Sequence, residues 1–108
     1  MAGIGVRGAG SVTEVSVAGR GGVPGDALAV VLNVTVVEPR GSGFVTVWPC
    51  GSKMPLASNL NFVAGQVVPN AVLSKVGVGG KVCVFSSAAT HLVVDVNGFF
   101  PAGSSFGS

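Results

Sequence analysis

The chain has 108 residues, only 9% of them charged, and a net charge of +2. That length suits one domain with a single core. The basic residues stand singly at Arg7, Arg20, Arg40, Lys53, Lys75 and Lys81, so no cluster exists to neutralise nucleic-acid phosphates, and no run of about 18 apolar residues offers a membrane span.

Residues 1–11 are Gly-rich and weakly patterned, which predicts a loose arm. No basic-then-apolar leader pattern opens the chain. Residues 12–17 alternate, with Val15 and Val17 on one side, and predict a half-buried strand. Residues 19–26 (GRGGVPGD) form a strong breaker. Ala29–Val37 (AVVLNVTVV) is the longest β-forming run. Alternation places Val30, Leu32, Val34 and Val36 on a core face, and Val31, Asn33, Thr35 and Val37 on the other. We read it as a central strand covered largely on both sides.

Residues 38–43 (EPRGSG) suit a hairpin loop. Residues 44–48 form a strand, with Val45 and Val47 on one face and Phe44, Thr46 and Trp48 on the other. Residues 49–55 form a second loop. Residues 58–63 alternate, with Leu60 and Phe62 inward and Asn59 and Asn61 outward. Asn is a poor strand former, so the two amides call for a local reason. After a break at residues 64–66 a strand resumes over 67–76. Pro69 cannot donate to a ladder, so it belongs at an edge or a strand start. Residues 77–80 turn. Residues 81–86 place Val82 and Val84 opposite Cys83 and Phe85. Residues 91–97 carry Leu92, Val94 and Val96 inward. Residues 102–108 read as a linker tail. About seven strands without a helical period predict an all-β domain, an antiparallel sandwich over residues 12–101, with a small barrel as the alternative. Short loops make sequential pairing the expected topology.

Chemistry-bearing residues are few. Cys50, Cys83 and His91 cannot fill a four-ligand zinc site, and the cysteines are too far apart for a C-x-x-C pair. They are either a structural disulfide or two buried thiols. His91 and Asp95 share a strand face but lie roughly 13 Å apart at 3.3 Å per residue. With no nucleophile elbow and no second His, an enzyme is not expected, and no cofactor or metal is implied. Asp95 fits a carboxylate accepting backbone N–H bonds in a turn. Asn33, Thr35 and Asn70 fit a structural polar set that fixes register. Trp48, Asn59 and Asn61 would make an aromatic and amide surface for a glycan if Trp48 were exposed beside them.

Six motifs occur in order: VAGRGGVP at 17–24, VVLNVTV at 30–36, GFVTVWP at 43–49, SNLNF at 58–62, GQVVPN at 65–70 and HLVVDVNGFFP at 91–101. The series resembles the tandemly repeated β-rich module of secreted actinobacterial cell-surface proteins. The resemblance implies export, a repeat context and no known activity or ligand. Export implies oxidised thiols, hence a Cys50–Cys83 disulfide. Family repeats carry a P-x-R-x-L-D-T-R segment before the first strand, where this chain has only Ile4-Gly5-Val6-Arg7. That departure predicts an open sheet edge, filled by a neighbouring repeat, by self-association or by residues 1–10 themselves. The functional expectation is an extracellular structural or adhesive module, with carbohydrate binding as the alternative.

Overall fold

The computed structural model describes residues 3–20 and 22–102. The expected tail, Ala102 apart, lies outside them. Among the described residues there are eight strands: β1 (Gly3–Arg7), β2 (Ser11–Ser16), β3 (Ala29–Val37), β4 (Gly43–Pro49), β5 (Leu60–Phe62), β6 (Val67–Lys75), β7 (Lys81–Ser86) and β8 (Thr90–Phe100). They form two four-stranded antiparallel sheets, ordered β1-β8-β3-β6 and β2-β7-β4-β5. Neither sheet closes on itself, so the domain is a sandwich and not a barrel.

The core lies between the sheets and follows the predicted alternation. Val30, Leu32, Val34 and Val36 of β3 are fully buried. They face Val45 and Val47 of β4, Leu60 and Phe62 of β5, and Val82 and Val84 of β7 within one cluster. Leu92 and Val94 extend it from β8. The 17–28 link also contributes: Val17, Val23 and Ala27 are buried in the same cluster. Successive turns (Gly19 N–H to Val23 O at 2.8 Å, Val23 N–H to Arg20 O at 2.8 Å) fold this link over the end of the sandwich. The second face of β3 differs from expectation. Val31, Asn33, Thr35 and Val37 are half-buried, because they lie on the outside of the sheet and are sheltered only by neighbouring side chains.

The expected sequential pairing is corrected. Only β4 and β5 are sequence neighbours that pair; every other consecutive pair lies in opposite sheets. The reason is the length of the two best strands. β3 and β8 match along the whole of β3, from Ala29↔Phe100 to Val37↔His91. The ladder and burial gained outweigh a loop-closure cost that grows only logarithmically with separation. The 38–42 segment is therefore an arch between sheets rather than a hairpin, with Glu38 at φ 50 making the break.

Residues 3–7 correct the expectation of a loose arm over 1–11. They form β1 against the outer edge of β8, with a register shift between Gly3 and Gly5, and Ser11 already begins β2. Docking of the N-terminal segment, one of the three outcomes foreseen, is seen here as the pairing of residues 3–7 with β8. Unpaired strand edges attract any extended backbone, and glycines bring no Cβ to obstruct the approach.

Pro69 lies inside β6, the opposite edge of that sheet. The Val76 N–H bonds to Leu28 O at 3.0 Å. Since antiparallel pairs alternate, Ser74, Val72, Asn70 and Val68 direct their backbone groups at β3, and the odd-numbered residues direct theirs away. Pro69 is odd, so its missing N–H costs no ladder bond.

Candidate functional site

The residues proposed from sequence fall on the outer faces of both sheets, except Asn70, which has the inward parity of β6. On β4, Phe44, Thr46 and Trp48 face outward by parity. Register sets Trp48 beside Cys83 and Thr46 beside Phe85 of β7, and Cys83 beside Glu14 of β2. This layer does not face solvent. Trp48, Cys50 and Cys83 form a second buried cluster, with Met54 and Phe85 packed on it, and the Phe44 and Phe85 ring centroids are 5.7 Å apart.

What covers it is the 50–58 loop, fastened at four points. Cys50 and Cys83 form a disulfide with Cα atoms 5.1 Å apart. The Trp48 Nε1–H donates to Ser52 O at 3.1 Å. The Thr46 hydroxyl donates to Ala57 O at 3.2 Å. The fourth point explains the first amide. The Asn59 N–H donates to Val45 O at 2.8 Å, while Asn59 Oδ1 accepts the Val47 N–H at 2.7 Å. A side-chain amide thus stands in for the backbone carbonyl of the next strand residue and prolongs the β4–β5 ladder. Asn70 adds a bond across the open side of the sandwich, its Nδ2–H donating to Asn59 O.

A neighbouring turn locks the same region. Gly77 N–H donates to Lys81 O at 2.9 Å, and Val78 N–H to Cys50 O at 2.8 Å. Gly77 lies so close to Cys50 that an added Cβ would come within 2.2 Å of the Cys50 nitrogen.

The predicted glycan surface is therefore not assembled as envisaged. The strands are neighbours, and Phe44 pairs with Asn61, but Trp48 is only 7% exposed and the Asn59 amide is engaged. Asn61 alone of the three is open to solvent, its Oδ1 accepting from the Ser58 hydroxyl at 3.2 Å. Sequence reasoning placed Thr46 on the Trp48 face and missed Met54 as a member of this layer. The rest of the layer was legible in parity: residues 44, 46, 48 and 50 share one face of β4 and its extension, and Cys83 and Phe85 share the matching face of β7.

The remaining candidates lie on the outer face of the other sheet. Asn33 is opposite Asp95, Thr35 opposite Val93, and Val37 opposite His91. Asp95 sits within β8, not in a turn as expected, and it has an interaction partner. Asn97 follows as the extra residue of a bulge, since Leu32 pairs with Val96 and Val31 with Gly98. Glu14, Cys50 and Cys83 place ligand-type atoms within 4.8 Å of one another. Both sulfurs are spent in the disulfide, and zinc needs thiolates, so the group does not fit a metal. Among the described residues no helix is long and apolar enough to cross a membrane. No family model, no curated protein and no solved structure matches the chain.

Proposed function

We propose that the chain is a structural or adhesive repeat module of an extracellular cell-surface protein, without chemistry of its own. One observation carries the reading: the side chains best suited to recognition or chemistry are used to fasten the 50–58 loop over the outside of a sheet. The Asn59 amide, the Trp48 indole and both cysteines serve stability. A disulfide supports an oxidising compartment, and low charge supports a part that packs against neighbours.

Two measurements test the proposal. Intact producing cells are treated with a membrane-impermeant amine reagent, and labelling is expected at the exposed Lys53 and Lys75. Labelling only after lysis overturns the surface assignment. The purified protein is then titrated with cell-wall polysaccharides while the emission of Trp48, its single Trp, is followed. No saturable response is expected; a saturable response lost in Asn61→Ala overturns the structural reading in favour of a lectin.

A further inference from the structure

The four sheet edges are not equivalent. β1 has five residues and a register shift, β2 has six, and β5 has three. β6 has nine, paired to β3 without a bulge from Val67↔Val37 to Lys75↔Ala29. Natural proteins usually protect such an edge by shortness, bulges or charge. Here Pro69 removes one outward N–H and Lys75 places one charge at the end. The outward backbone groups of Val67, Ala71 and Leu73 and the Lys75 N–H remain to pair, while the Lys75 carbonyl already accepts from the Ser74 hydroxyl at 2.9 Å. The side chains of the same odd-numbered residues line the outer face, with Val67 62% and Leu73 52% exposed, and Pro69 and Ala71 exposed between them.

We propose that β6 is a self-association edge, pairing antiparallel with β6 of a second copy about a two-fold axis through Ala71. The outward set is odd-numbered, and a two-fold at Ala71 pairs odd residues with odd ones. Ala71 then meets the second copy's Ala71, Leu73 meets Pro69, and Lys75 meets Val67. All outward donors are used, giving about eight hydrogen bonds, with each Lys75 carbonyl accepting from the opposing Val67 N–H as well as from Ser74. The Pro69 carbonyl accepts from the opposing Leu73 N–H, so the missing Pro69 N–H breaks only one bond at each end. Charge fits this register. Val67–Ser74 contains no charged residue, and the two Lys75 residues lie about 27 Å apart at 3.4 Å per residue. That is several screening lengths at physiological salt. Small Ala71 side chains at the axis let the backbones approach, while Leu73 and Pro69 form an apolar pair on each side. The result is one continuous eight-stranded sheet through two modules, and it holds whether or not the module is extracellular.

Sedimentation of the whole chain from about 5 to 500 µM tests it, the range suited to a small interface. The expected result is a monomer–dimer equilibrium with no larger species. Ala71→Pro removes the central N–H on the free side only, and Leu73→Lys sets a charge against the opposing Pro69. Both should leave a monomer at every concentration, with thermal midpoints of the dilute protein close to the parent. Val12→Lys, on the other sheet's outer face, should still dimerise. A positional test covers a variant that does not fold. Paired Ala71 residues are about 5.5 Å apart between Cα atoms, within disulfide reach, so Ala71→Cys should cross-link two copies under mild oxidation far faster than Leu73→Cys. A parent that stays monomeric throughout overturns the proposal. So does a dimer untouched by both β6 variants, or equal cross-linking at 71 and 73.

Discussion

Removing the Cys50–Cys83 bridge, as the Cys50→Ala/Cys83→Ala double variant, tests what holds the outer layer in place. The bridge spans 33 residues, and in the chain-entropy model a loop of that size constrains the unfolded state by about 3.7 kcal/mol. Unfolding entropy of about 2.1 cal/mol/K per residue converts this to a loss of roughly 16 °C in the thermal midpoint. Calorimetry on parent and variant reads it directly. The location of the bridge adds a second readout. Cys50 begins the loop that covers Trp48, so the variant should red-shift Trp48 emission under conditions where the far-ultraviolet circular dichroism of the sandwich is unchanged. Non-reduced parent should offer no alkylatable thiol by intact mass. A midpoint lowered by less than about 4 °C would refute the argument: the sandwich and the four hydrogen bonds that fasten the loop would then suffice, and closing the 50–83 loop would matter little.

Three further outcomes follow from contacts described above. Gly77→Ala should cost more than about 3 kcal/mol or prevent folding, because its Cβ would meet the Cys50 backbone at 2.2 Å; Gly65→Ala, in open space at φ +78, should cost only about 1–2 kcal/mol by denaturant titration. Asn59→Ala should destabilise by about 1–3 kcal/mol, leaving the Val47 N–H without its acceptor, whereas Asn61→Ala should change the midpoint little. The Lys81–Glu14 ion pair at 3.2 Å is largely exposed, so Glu14→Gln should shift stability by less than about 1 kcal/mol, and by less still in high salt.

Sequence alternation revealed the inward faces well, because a strand with one buried face repeats every two residues. Val45/Val47, Leu60/Phe62 and Val82/Val84 all point into the core as their spacing required. Pairing order was not legible. It depends on the long β3–β8 ladder, whose members are about 60 residues apart, and no local pattern encodes that choice. β1 was hidden for a different reason: Ile4 and Val6 do alternate, but against Gly3 and Gly5, and glycine is a poor strand former, so the segment is a strand because β8 offers an edge. The candidate residues were legible in composition, while the exposure on which a glycan surface depended was not. Asn59 does reach β4 beside Trp48, through the Val47 N–H, but Asn61 lies opposite Phe44, roughly 13 Å along the strand from Trp48, and alternation distinguishes only the two faces of a strand. It cannot reveal that a loop folds back over the outer one.

The position of β8 has a consequence for how the chain reaches this structure. It is the last of the eight strands, yet it lies between β1 and β3, joining Gly3 to Val93 and Val37 to His91. A chain emerging N-terminus first can pair β3 with β6, but β3 keeps one bare edge and β1 has no partner until residues 90–100 arrive. Such late, long-range closure belongs to the slow end of folding, milliseconds to seconds for sandwiches of this kind. During that interval the apolar, sparsely charged β3 is exposed to other chains. Insertion of β8 is thus the commitment step, and a nascent chain held back before it would be the species most prone to misassembly.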